Sequence, residues 1–122
     1  MQEINLRNYA YIGDAVWELY IREKTIYQTN NSKKLHEITT AKVNTDFQCE
    51  MLDFILSDLS SEDLEIAKRA RNLPIPIGRK HIQNQYRKAT AFETLIGYWY
   101  INHPKKLEQI TQKINEFLSN AS

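Results

Sequence analysis

Three glycines and three prolines in 122 residues are too few to turn a chain through a many-stranded sheet. Apolar residues recur instead at three- and four-residue steps, the spacing of one buried helical face. Together these predict an all-α fold. A chain of 122 residues is expected to form one domain, residues 1–122, and to bury enough surface for a real core. At 42% hydrophobic and 25% charged residues the composition is that of an ordinary globular protein, which excludes disordered and fibrous classes. The single cysteine, Cys49, has no intrachain partner, so a reducing setting is expected and Cys49 reads as a small buried residue. No long apolar run exists, and the chain opens with Gln2, Glu3, Asn5, Arg7 and Asn8. Neither a membrane-spanning helix nor a secretory leader is expected.

Helical spacing runs from residue 6 to 27, through Leu6, Tyr9, Ala10, Gly13, Val16, Trp17 and Tyr20. Thr29 to Ser32 break it, and Ser32 is the expected cap of the next helix, carrying Leu35, Ile38, Thr39 and Lys42. A boundary is expected at Val43–Thr45, before the stripe Phe47, Met51, Leu52, Ile55, Leu56 and Leu59. Ser60 with Asp63 has the form of a capping box. It opens a helix that ends at Asn72, because Pro74 and Pro76 forbid continuation. Residues 73–81 read as a loop, residues 82–100 as a long helix, and Pro104 as the start of a last helix with Leu107, Ile110, Ile114, Phe117 and Leu118 on one face. The expected architecture is one bundle of about six helices.

A net charge of +1 hides an asymmetry. Residues 66 to 92 contain no acid but seven bases: Lys68, Arg69, Arg71, Arg79, Lys80, Arg87 and Lys88, with His81 among them. The other nine bases face all fifteen acids. Like charges so concentrated repel one another, so a polyanionic partner is expected, against the plainer reading of a solvated basic face. Several catalytic classes are excluded. One cysteine cannot make a zinc cluster, and His36, His81 and His103 are scattered without an HExxH pair. Three glycines supply neither a Walker loop nor a dinucleotide fingerprint.

Carboxylates remain. Asp14 sits inside a strongly apolar helix, Tyr11-Ile12-Gly13-Asp14-Ala15-Val16-Trp17-Glu18. Glycine and aspartate are both poor helix formers, glycine costing about 1 kcal/mol against alanine. Two adjacent unfavourable choices point to a gain elsewhere: close helix approach at Gly13 and an inward carboxylate at Asp14. Glu93 repeats the pattern in Ala91-Phe92-Glu93-Thr94-Leu95-Ile96-Gly97-Tyr98, with Gly97 one turn away on the same face. If the two glycine faces pack together, the carboxylates meet, and paired acids share a proton or hold a hard cation. The plainer alternative pairs each acid with a neighbouring base. Glu18 is expected to pair with Arg22 at i+4, and Trp17, Tyr98, Trp99 and Tyr100 are expected to pack in the core or at a subunit interface.

These segments also resemble a known family. Tyr-Ile-Gly-Asp-Ala-Val-Trp-Glu at 11–18 resembles the signature helix of ribonuclease III, and Thr-Ala-Phe-Glu-Thr-Leu-Ile-Gly-Tyr at 90–98 its second catalytic helix. Leu35-His36, Arg69-Ala70-Arg71-Asn72 and Tyr86-Arg87 resemble the short branch, Mini-ribonuclease III, in order and separation. The resemblance covers nearly the whole chain. It implies an α-helical, homodimeric endonuclease lacking the appended double-stranded-RNA-binding domain. It also implies cleavage of double-stranded RNA with Mg²⁺, and maturation of large-subunit ribosomal RNA in the cytoplasm or an organelle of bacterial descent, where a ribosomal protein could assist. Asp14 and Glu93 match the family's metal-binding acids. The RNA-binding set expected alongside them is Lys68, Arg69, Arg71, Asn72, Arg79, Lys80, His81, Arg87 and Lys88.

Two positions depart from the larger enzymes, which carry acids where this chain has Ala10 and Thr90. The short branch resembles this chain at both, but the number of metal ions is left open. The proline-containing loop at Leu73–Gly78 differs from the glycine- and polar-rich loop of the short branch. Two other readings stay open: a catalytically silent relative that binds structured RNA in an assembly, and a helical protein-interaction module.

Overall fold

The computed structural model describes residues 5–75, 78 and 83–120. Within them the chain forms six α-helices: α1 (Leu6–Thr25), α2 (Ser32–Val43), α3 (Thr45–Ile55), α4 (Ser61–Arg71), α5 (Gln83–Asn102) and α6 (Pro104–Asn120). A single 3₁₀ turn, Leu56–Asp58, links α3 to α4. No strand occurs among the described residues, so the all-α expectation holds.

Capping chemistry sets most boundaries. Asn5 accepts a hydrogen bond from the Arg7 amide (2.8 Å) and Asn44 from the Phe47 amide (2.8 Å), each satisfying a free N–H of a first turn. The Ser60–Asp63 capping box is complete, with reciprocal bonds of 3.1 and 3.0 Å. One expected cap is corrected. The α2 cap is Asn31, whose side chain accepts from the Lys34 amide at 2.9 Å, and Ser32 is already the first helical residue. Asn31 has the extended backbone of a cap position, so its carboxamide reaches the amide first. The first helix also ends at Thr25 rather than residue 27, and the fifth runs on to Asn102.

Helix α5 is the axis of the bundle. Ala89, Ala91, Phe92 and every residue from Thr94 to Trp99 are buried, which covers most of its circumference. Helices α1, α3, α4 and α6 pack around it. Trp17, Phe92, Leu95, Trp99, Ile21, Met51 and Ile114 form the centre of the core. Trp17 meets Phe92 edge-on with ring centroids 4.9 Å apart. Both indole N–H groups are satisfied across the bundle, Trp17 donating to the Lys42 carbonyl (2.8 Å) and Trp99 to Asp63 Oδ1 (2.9 Å). The amphipathic face expected of the last helix is present, with Ile110 and Ile114 buried and Leu107, Phe117 and Leu118 packed beside them. Cys49 is only half-buried on α3.

Candidate active site

The site begins where α1 crosses α5. A Cβ on Gly13 would lie 1.8 Å from the backbone oxygen of Glu93, and one on Gly97 would lie 1.9 Å from the backbone oxygen of Tyr9. Only hydrogen fits at either position, so the two backbones touch. This is the reciprocal glycine packing expected from the sequence. Its consequence is chemical, because Asp14 follows Gly13 and Glu93 supplies the opposing carbonyl.

The crossing places both carboxyls in one cleft of about 280 Å³. Arg7, Ala10, Tyr11 and Asp14 line it from α1, and Tyr86, Thr90 and Glu93 from α5. Both sets follow the three- and four-residue steps of a single helical face. Asp14 is exposed to solvent rather than turned into the core, and Glu93 is half-buried. Burial, a side-chain hydrogen bond with Asp14 and repulsion by its charge push the Glu93 carboxyl up to about 9. Two acids this close share a proton or a cation. Ala10 and Thr90 line the same cleft without adding a carboxyl, leaving two carboxyls to serve it. No group of three or more potential metal ligands occurs among the described residues. An all-oxygen pair suits Mg²⁺, which binds through one or two carboxylates and completes its shell with water and phosphate oxygen. The donors present fit that ion.

Gln48 on α3 neighbours Glu93 without lining the cleft itself. It is only 3% exposed, and its Nε2 is the one buried side-chain polar atom without a hydrogen-bond partner among the described residues. The side chain nevertheless lies close enough to Glu93 to oppose the rise in its pKa. The approach thus falls short of an ordinary hydrogen bond, though the two groups are neighbours. A buried donor left unpaired costs about 1–3 kcal/mol, so its place beside Glu93 calls for an explanation.

The basic residues divide into three groups. Lys68, Arg69, Arg71 and Asn72 are exposed at the C-terminal end of α4. That end adjoins the carboxyl cleft: Arg7 donates to the Pro74 carbonyl (2.9 Å), and a small hollow between them is lined by Arg7, Ala70, Leu73, Tyr86 and Thr90. Arg87 and Lys88 have partners inside the protein. Arg87 Nη1 donates to the Arg71 carbonyl and to that of Leu73 (3.3 Å), closing the end of α4. Lys88 Nζ pairs with Asp53 Oδ1 at 3.0 Å. Arg79, Lys80 and His81 lie outside the described residues.

Other expected roles resolve structurally. Glu18 pairs with Arg22 at 3.6 Å, one turn along α1. Asp63 is buried, completes the α4 capping box by accepting from the Ser60 amide, and accepts the Trp99 N–H. It borders a larger cleft of about 500 Å³ together with Glu62, which accepts from the Tyr98 hydroxyl, and these acids serve the fold. Sequence reasoning missed Arg7, Tyr11 and Gln48. Arg7 and Tyr11 carry a signal in hindsight, lying seven and three residues before Asp14 on its face. Gln48 carries none.

The chain has well-matched relatives among known proteins. Residues 7–104 match the ribonuclease III domain family. A Mini-ribonuclease 3 from Clostridium tetani is 36% identical over 118 residues, covering 93% of this chain and 78% of that protein. A Mini-ribonuclease 3 from Synechococcus is 33% identical over 105 residues, covering 86% and 76%. A crystal structure of a Fusobacterium nucleatum protein superposes with a TM-score of 0.84 at 34% identity, covering 99% of this chain and 97% of the other.

Proposed function

The chain belongs to the ribonuclease III family and is an endoribonuclease of that type, and from that premise we propose that it cleaves double-stranded RNA with Mg²⁺ held by Asp14 and Glu93. The observation that carries this reading is the meeting of those two carboxyls in one open cleft at the Gly13–Gly97 crossing. When bound, Mg²⁺ supplies positive charge at the scissile phosphate and lowers the pKa of a bound water. The protein's own part is positional. Gly13 sets Glu93 against Asp14, and the exposed cations of α4 hold the duplex beside the cleft. An A-form duplex is gripped by its phosphates and shape, which suits Lys68, Arg69 and Arg71 on one helix end. Arg87 and Lys88 leave that set, since each has an internal partner.

Cutting both strands of a duplex needs two sites related as the strands are, by a two-fold axis, so the acting form is a homodimer. Trp17 and Trp99, expected in the core or at an interface, are 1% and 0% exposed and belong to the core. Other apolar side chains are exposed and available to an interface, among them Leu19 on α1 and Tyr100 and Ile101 on α5. The substrate is a structured precursor of large-subunit ribosomal RNA, presented in the cytoplasm or an organelle of bacterial descent with a ribosomal protein as helper. No helix among the described residues is long and apolar enough to cross a membrane. The test is incubation of purified protein with a long RNA duplex, with and without Mg²⁺. Ion-dependent cutting into short duplexes is expected, and intact duplex under both conditions would refute the reading.

A further inference from the structure

Resting on that reading of the cleft, we propose that Gln48 is a positioning residue for Glu93: once a cation is bound, its Nε2 donates to the Glu93 carboxylate and fixes which oxygen faces Asp14 and the cation. Gln48 is 3% exposed on the face of α3 packed against α5, among Met51, Leu52 and Ile55. A long amide in such surroundings loses its water, and here its nitrogen finds no partner. Methionine or leucine would fill the same space with no hydrogen bond forgone. The amide is therefore costly for packing, and its neighbour is the more buried of the two carboxyls in the cleft.

The chemistry of the two groups is complementary. An amide nitrogen only donates, and an ionised carboxylate only accepts, with lone pairs to spare on two oxygens. A donor approaching from α3 occupies the side of Glu93 away from the cleft and leaves the remaining lone pairs for Asp14's side. Groups that orient a metal-ligating side chain in this way typically govern metal affinity or activity by about 10- to 100-fold. The unmade bond belongs to a carboxyl whose other partner is presently Asp14. When a cation draws Glu93 and Asp14 into one coordination shell, the Gln48 donor is satisfied.

Gln48→Met tests this, because it keeps length and volume and removes the donor. Mn²⁺ binding by the RNA-free protein, followed by calorimetry, should weaken about 10- to 100-fold. The kcat for duplex cleavage should fall by a similar factor with KM for RNA unchanged, and raised Mg²⁺ should restore much of the rate. The melting temperature without metal should stay at or above that of the wild type, since an unpaired buried amide has been removed. Wild-type Mn²⁺ affinity and rate in Gln48→Met would overturn the proposal while leaving the Asp14–Glu93 site standing. A sharply lowered melting temperature in both Gln48→Met and Gln48→Leu would assign Gln48 to packing and overturn it as well. Wild-type protein that binds no Mn²⁺ would overturn the metal site itself, and this inference with it.

Discussion

Gly13→Ala is the smallest change that separates the fold from the site. Its Cβ would stand 1.8 Å from the Glu93 carbonyl oxygen. Ordinary contact begins near 3.4 Å, so the two helices must part by about 1.5 Å at their crossing. The obstructing atom is backbone, which cannot rotate aside as a side-chain end could. Overpacking of this kind costs about 3 kcal/mol at the upper end of its usual range. Alanine returns about 1 kcal/mol of helix propensity, leaving a net destabilisation of about 2 kcal/mol. For a chain of this length that lowers the melting temperature by roughly 8 °C. The catalytic effect should be larger than the stability effect. Glu93 is carried on the displaced backbone, and a misplacement of about 1 Å at a reacting centre can cost about 100-fold in rate. Paired thermal melts and duplex-cleavage assays at a temperature where the variant is folded check both numbers. Gly78→Ala is the control, because a Cβ there meets nothing within 4 Å among the described residues, and it should leave melting and rate unchanged. A Gly13→Ala protein that melts and cuts like the wild type would refute the backbone crossing as the device that places Glu93.

Asp14→Asn should lower cleavage by orders of magnitude while retaining duplex binding and a wild-type or slightly higher melting temperature, since it removes the charge that helps force Glu93 to hold a proton; unchanged cleavage would remove Asp14 from the site. Metal-free stability should fall as pH rises between 4.5 and about 9, because Glu93 ionises at its ordinary value when unfolded but keeps its proton to about 9 when folded, so the native state holds the extra proton throughout. Denaturant titrations across that window check the sign, and added Mg²⁺ should flatten the slope. Replacing Arg69 and Arg71 with alanine should weaken duplex binding for all sequences alike and lower the logarithmic salt slope by about 0.9 for each phosphate that is no longer neutralised. Lys88→Ala should leave that slope intact, because its partner is Asp53, and shift stability by no more than about 1 kcal/mol.

Helix boundaries were legible wherever the chain marks them with capping chemistry. Asn44, the Ser60–Asp63 box and Pro104 each announce a first turn, and each stands at one. Asn31 and Ser32 show the limit of that reading. Both residue types cap well, they are adjacent, and only the backbone conformation selects Asn31. The fifth helix runs past residue 100 for a related reason. Pro104 restricts the residue before it, His103, and nothing earlier stops the helix. The tryptophans were ambiguous because apolar spacing shows that a residue is covered but not by what. Trp17 and Trp99 are covered from within the chain, and the partners of their N–H groups, Lys42 and Asp63, are 25 and 36 residues away.

The same limit divides the site. Asp14 and Glu93, which line one cleft, stand out in the sequence because each breaks a local rule, an acid near a glycine inside an apolar helix, and the cost of that break is visible within one turn of sequence. The basic segment is only partly legible for the opposite reason. A charge count registers Arg87 and Lys88 as free cations, yet the carbonyls of Arg71 and Leu73 and the carboxylate of Asp53 come to them only through the packing of α3, α4 and α5. Gln48 is the extreme case. Glutamine is a good helix former, and on an isolated α3 it would cost nothing, with its amide in water. Its penalty arises when α3 closes on α5 and leaves Nε2 beside Glu93 without a bond. Residues whose cost is local betray function in the sequence. Those whose cost is tertiary, as at Gln48, do so only once the helices are in place.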